Sequence, residues 1–310
     1  MELIGQLFDI QFVATAIRLA SPLILAALGG LIAERAGVFN IALEGMMLFG
    51  ALAASLAAYY TGLPVLGLVA AMVAGALTGL LLAIMSVTLR ADQIISGLAI
   101  NLLALGLTTY IVRLLFGITA GPVRAPAFEP IPLPVLGSIP VLGSLFFSHQ
   151  IPVYLAYILG PILVYFLFHT RSGLEIRAVG EHAHAADAAG VRVKTVRYRS
   201  VIASGAVAAL GGGVLSIGLL SVFTDNITNG RGYIAVAAII FGNWHPMGVI
   251  LGCLLFGAAE ALGLRALGLD LPVPYQIPAM LPYIATVLVL SLFVRRTHAP
   301  AEGGKPFHRE

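Results

Sequence analysis

Long apolar stretches alternate with short polar breaks along this chain. The first runs over residues 12–32 and ends at Glu34, Arg35 and Gly37. A second runs from Val38 to Tyr60, and the turn sequence Thr61-Gly62-Leu63-Pro64 divides it from a third over 65–89. Arg90-Ala91-Asp92 precedes a fourth over 94–116. Each is long enough for a helix to cross hydrocarbon about 30 Å thick, which takes about 20 residues. Residues 117–150 break the pattern. They carry little charge and are rich in Gly and Pro, among them Pro122, Pro126, Pro130, Pro132, Pro134 and Pro140. This predicts a long loop folded back on the membrane surface. A fifth span covers 151–169 and a sixth 200–223. After the polar segment TDNITNGRG (224–232), Tyr233–Phe241 is apolar but too short to cross unaided. Apolar stretches follow over 247–264 and 275–294, separated by a loop over 265–273.

The pattern predicts an all-α membrane protein, a polytopic helical bundle of about eight transmembrane helices plus a half-helix. One transmembrane domain covers 1–295, and 296–310 form a polar tail expected to be disordered. Residues 233–246 can either cross or enter and return on the outer side. The half-helix is favoured, because irregular backbone at membrane depth is tolerated where protein buries it.

Composition agrees. The chain has 310 residues, 59% hydrophobic and 10% charged, with mean hydropathy +1.00. Soluble domains run near a quarter charged, so the solvent of this surface is lipid. A net charge of +3, with basic residues at span ends, marks topology and not a nucleic-acid footprint. The one cysteine, Cys253, lies in an apolar run and reads as a packing residue. The start, MELIGQLFDI, lacks the basic region and cleavage site of a signal peptide, so the first span is expected to be retained.

Charge then sets orientation. Arg171–Ser200 holds six of the 17 basic residues. Placing 170–199 inside puts 33–37, 90–92 and the tail inside too, with 12 Lys and Arg against 4 on the opposite side. The N-terminus is then outside and the C-terminus cytoplasmic. Within the loop, Glu181–Ala189 reads as a short helix. Glu181 suits its positive end, and Gly190 suits a left-handed stop. Its small side chains fit a cleft, so it is either a docking surface or a solvated loop.

Few residues carry chemistry. The chain has no GxxxxGK[ST] phosphate loop, HExxH, CxxC, EF-hand loop or GxSxG elbow. His182 and His184 are two apart, a poor metal pair on a helix. Neither a catalytic nor a metal site is expected. Asn40 and Glu44 stand at i and i+4, which predicts one shared helix face. They either line a polar path or satisfy each other, Arg35 or a neighbouring helix. Asn101, mid-span, has the same two readings. Glu44 and Glu260 are the main carboxylates inside apolar runs, thin support for a membrane enzyme. Gly75/Gly79, Gly211-Gly212-Gly213 and Gly248/Gly252 are read as close-packing positions. A transport subunit and a self-contained secondary carrier or channel both remain open.

Three motifs narrow this. They are ERAGVFNIALEGMMLFGALAA near the start, RSGLEIRAVGEHAHAADAAGV before an AALGGG span, and GRGYIAVAAIIFGNWHPMGVILGCLLFGAAEAL. Together they resemble permease subunits of bacterial ABC importers of the ribose and branched-chain amino acid type, most of all the simple-sugar and nucleoside permeases. The resemblance covers roughly residues 20–295. It implies a bacterial inner-membrane subunit that forms the path for a small polar solute by alternating access. It implies a second, related but different permease chain, two cytoplasmic ATPase domains that bind the ATP, and an extracytoplasmic substrate-binding protein. No cofactor is expected in this chain. The family's coupling helix falls on Glu181, His182, Ala183, His184, Ala185, Ala186, Asp187, Ala188, Ala189 and Gly190. Its pathway helix matches Val38–Leu48, with Asn40 and Glu44, and Asn101 is the third path candidate. The extra N-terminal helix of ribose-type members has no counterpart here, which fits an outside N-terminus.

Overall fold

The computed structural model describes residues 9–118, 121–132, 143, 145, 148–268, 276, 280–293 and 298–308. Pro134 and Pro140, the loop beyond Gly268, the start of the expected last span, and Arg295, Arg296 and Arg309 lie outside the described residues.

Helix α1 (Ile10–Arg35) starts where the Asp9 carboxyl accepts the Phe12 N–H at 2.7 Å. Pro22 lies inside it and cannot donate to the Arg18 carbonyl four residues back. The Ser21 hydroxyl donates to that carbonyl instead, at 2.8 Å, so the break leaves no orphan in an apolar setting. Helix α2 (Leu43–Thr61) ends at Gly62, whose φ of 73° closes the predicted turn. Helix α3 (Pro64–Ala83) continues as a π-helical turn over Ile84–Thr88. Asp92 caps α4 (Gln93–Phe116), accepting the Ile94 and Ile95 N–H groups at 2.9 Å. Helix α5 covers Ile151–His169. The basic loop holds two helices, α6 (Arg171–Glu181) and α7 (Ala183–Ala188). Helix α8 (Val193–Gly213) is extended by a π-helical segment, Val214–Leu220. Helices α9 (Arg231–Phe241), α10 (Pro246–Gly268) and α11 (Leu281–Phe293) follow. Among the described residues, seven helices are long and apolar enough to cross a membrane, and α9 and α11 are shorter.

Helices α1 and α8 form the centre. α8 packs most extensively on α3, α1 and α2, and α10 packs along α1. Small residues permit this. A Cβ at Gly79 would stand 2.6 Å from the Val201 carbonyl oxygen, and one at Gly29 2.7 Å from the Ala208 nitrogen. Helix backbones therefore meet without side chains between them, the packing that lipid favours. The outer helices keep apolar faces exposed, such as Ile95, Leu102 and Leu114 on α4, as surfaces facing lipid or another chain should.

Of the 117–150 loop, three short strands are described. β1 (Val123–Arg124) pairs antiparallel with β4 (Val222–Phe223), and β2 (Pro130–Pro132) pairs with β3 (Ser148–Gln150). The loop is thus tied to the end of α8.

Three expectations are corrected. First, 233–246 does not return to the end it came from. The Arg35 Nε, at the far end of α1, donates to the Trp244 carbonyl at 2.6 Å. At the other end of α10, Arg265 bonds Asp9 at the start of α1. Residues 221–244 therefore complete a crossing, an irregular half followed by a helical half. Second, Glu181 ends α6 and does not open the short helix. His182 occupies that start, with Glu181 3.8 Å from Arg35. Gly190 does take the left-handed stop, at φ 88°. Third, the tail is ordered over 298–308. Phe307 is buried, and the Glu302 N–H donates to the Gly180 carbonyl at 2.9 Å.

Candidate functional site

Two groups of residues stand out, one inside the bundle and one at an end. The inner group forms where the irregular half of the 221–244 crossing becomes α9. At 1.5 Å per residue, eleven residues carry α9 about 16 Å from the Trp244 end. Its start therefore lies near the middle of hydrocarbon about 30 Å thick. Backbone N–H groups at a helix start have no partner within the helix. Glu44 supplies one. Its Oε1 accepts the Gly230 N–H at 2.8 Å and the Thr228 hydroxyl at 2.5 Å, and its Oε2 accepts the Gly232 N–H at 2.6 Å. An acidic group there also suits the positive end of the helix dipole. Gly232 has to be glycine, because a Cβ would run into the backbone of Glu44.

Asn101 closes the same cluster from α4. Its Oδ1 accepts the Gly45 N–H at 2.8 Å, and its Nδ2 donates to the Ile41 carbonyl at 2.9 Å and the Tyr233 hydroxyl at 3.1 Å. Asn40 lies nearby but not on the α2 helix. It belongs to the non-helical segment between α1 and α2, so the predicted i, i+4 face does not exist. Its Nδ2 donates to Ser204 Oγ at 2.8 Å on α8, and its Oδ1 is buried without a hydrogen bond. All three predicted path residues are thus buried and hold neighbouring elements together. Tyr233 is the exposed member of the cluster, at 45%. Glu260 stands apart, paired with Arg231.

The second group is at the Arg35 end. On α6–α7, Glu181, His182, His184, Ala185, Ala188, Ala189 and Gly190 are exposed, while Ala183 and Ala186 turn inward onto Val179, Val193 and Phe307. The ten expected coupling residues therefore divide into an outer face and an inner seat, with Asp187 half-buried between them. A cavity of about 270 Å³ opens beside them, lined by Gly190, Arg192, Lys194 and Phe307 among others. The loop's arginines do different work. Arg177 donates to the Leu167 carbonyl at the end of α5 and lies over the Phe168 ring. Arg197, one of the basic residues at a span end, is buried against Glu302 and the Lys305 carbonyl.

Side chains at the α9–α10 turn connect the two groups. Trp244 Nε1 donates to Glu34 Oε2 at 2.6 Å in a buried setting. Asn243 and Trp244 both hold left-handed backbone, at φ 52°, a region that bulky residues occupy only when the surroundings compel it.

Residues 12–294 match the family model described as the permease component of the branched-chain amino acid transport system. The chain belongs to this family. The permease is 43% identical to the guanosine ABC transporter permease protein NupQ of Bacillus subtilis (strain 168), over 98% of each chain. It is 35% identical to the nucleoside ABC transporter permease protein NupC of Lactococcus lactis subsp. cremoris, over 94% of this chain and 95% of that one. Among solved structures it resembles a transporter assigned to the metal-chelate ABC type, in an inward-facing conformation. The TM-score is 0.52 at 16% identity, over 94% of this chain and 88% of that one. At that identity the likeness shows the fold alone. The permease is a membrane-spanning transport component and not an enzyme, and such permeases work with ATPase and other partner components.

Sequence reading singled out two members of the inner cluster, Glu44 and Asn101, and the exposed segment Glu181–Gly190. It missed Thr228, Gly230, Gly232 and Tyr233, and it missed the Glu34–Trp244 link. One signal for the first set was present. TDNITNGRG ends in Thr, Asn and Gly immediately before an apolar run, the composition of a helix start.

Proposed function

We propose that this permease forms half of the membrane path of an ATP-driven nucleoside importer, with its Arg35 end in the cytoplasm. The carrying observation is the arrangement of α6 and α7. They project small and polar side chains outward at one end of the bundle while Ala183 and Ala186 seat them on it. That is a surface shaped to receive another protein. The orientation agrees with 12 basic residues against 4. Coupling residues are Glu181–Gly190, with the exposed face making the ATPase contact. A related second permease completes the path, and an extracytoplasmic binding protein delivers the solute. Glu44 and Asn101 shape the path by fixing the start of α9, and Asn40 by tying the segment before α2 to α8. The substrate class follows the two relatives, a guanosine and a nucleoside permease.

The test uses the assembled transporter in proteoliposomes. Ala185→Arg places a bulky charge on the outer face without touching the core. Expected are loss of guanosine uptake and loss of ATPase co-purification. Unchanged uptake and unchanged co-purification would refute the docking assignment. Uptake of a free sugar with no uptake of any nucleoside would refute the substrate class. A reporter fused at the C-terminus and active only outside the cytoplasm would refute the orientation.

A further inference from the structure

The tail does more than follow the last helix. Within eleven residues, 298–308 touch α6, α7, α8 and the α9–α10 turn. The His298 N–H donates to Asn243 Oδ1 at 2.7 Å, at the α9–α10 turn. The Glu302 N–H donates to the Gly180 carbonyl on α6. The Glu302 carboxyl faces the buried Arg197 guanidinium of α8 at 3.8 Å, and Arg197 Nη1 donates to the Lys305 carbonyl at 2.8 Å. Phe307 then fills the space beneath α7, among Val179, Ala183, Ala186 and Val193, with its ring 5.2 Å from that of His184.

A helix of six residues cannot hold its own shape in water. What fixes α7 is this seat, and Phe307 is the largest side chain in it. The same tail grips the turn that carries Trp244, which is bonded to Glu34 and Arg35 and leads through α9 to Glu44. We propose that residues 298–308 are a strap that joins the α6–α7 pair to the α9–α10 turn. A partner pulling on α7 then moves the α9 helix with it. Phe307 and Glu302 are positioning residues in this scheme. The proposal rests on α7 being the ATPase contact.

The experiment compares the complete transporter carrying wild-type permease, a deletion of 298–310, and the milder Phe307→Leu and Glu302→Gln variants. The readouts are ATPase co-purification, ATP hydrolysis, and guanosine imported per ATP hydrolysed. Expected is normal co-purification, with import per ATP lowered at least fivefold in the deletion and about twofold or more in each point variant. An unchanged import ratio in the point variants overturns the strap. Loss of co-purification in the point variants also overturns it, since the tail would then be part of the attachment. Should the deletion fail to accumulate, the point variants carry the test. Failure of the underlying docking assignment shows separately, as unimpaired ATPase binding by Ala185→Arg.

Discussion

Replacing Glu44 by Gln tests how the inner cluster is held. The glutamate presents two acceptor oxygens to three donors: the Thr228 hydroxyl and the Gly230 and Gly232 N–H groups. Glutamine has the same shape but only one acceptor. With its oxygen toward Thr228 and Gly230, its NH₂ meets the Gly232 N–H, donor against donor. Turned over, the NH₂ meets the Gly230 N–H, while the Thr228 hydroxyl can reverse and accept. Either way one buried backbone N–H loses its partner. Such an orphan costs about 1–3 kcal/mol. Losing a negative group at a helix start adds up to ~2 kcal/mol. The expected loss is therefore about 1–5 kcal/mol. Reversible unfolding of the purified permease in mixed micelles measures it, with uptake by the assembled transporter as the functional readout. A change under ~0.5 kcal/mol, typical of a surface substitution, together with full uptake, would refute this account of how α9 begins.

Other consequences follow from single contacts. Trp244→Phe removes the donor to buried Glu34, and should cost about 1–3 kcal/mol. Adding Glu34→Leu should recover part of that, so a double-mutant cycle in the same micelles reads the coupling directly. Gly79→Val drives a side chain into the Val201 carbonyl, and should lower stability by about 1–3 kcal/mol or more, seen as poor membrane accumulation. His149, buried just before α5, is held below the usual histidine range by burial, against the pull of the Leu145 carbonyl. It stays neutral while the unfolded chain takes up a proton. Stability should be full above pH about 6.5 and fall as pH drops through the range below it. His149→Gln should flatten that acid limb in a thermal-denaturation series.

The chain by itself determined what period and composition encode. Apolar runs of about 20 residues have few solutions in lipid, so the spans over 94–116 and 151–169 were legible almost to the residue. Gly190 announced its left-handed stop, because few residues other than glycine adopt that backbone readily. Arg171–Ser200 was legible as an oddity of charge in an apolar chain. Contacts between distant segments were not. Nothing near Glu44 in sequence says that its carboxyl meets residues 228–232, and no pattern in 298–308 says that Phe307 fills the seat under α7. Arg197 read as one more basic residue at a span end, until a carboxyl a hundred positions on was found facing it. Hydrophobic pattern reports what must leave water, and leaves open which polar partner it meets on the way. Tertiary structure alone decided that. It turned the expected half-helix into a crossing, because Trp244 finds its partners, Glu34 and Arg35, only at the far end of α1.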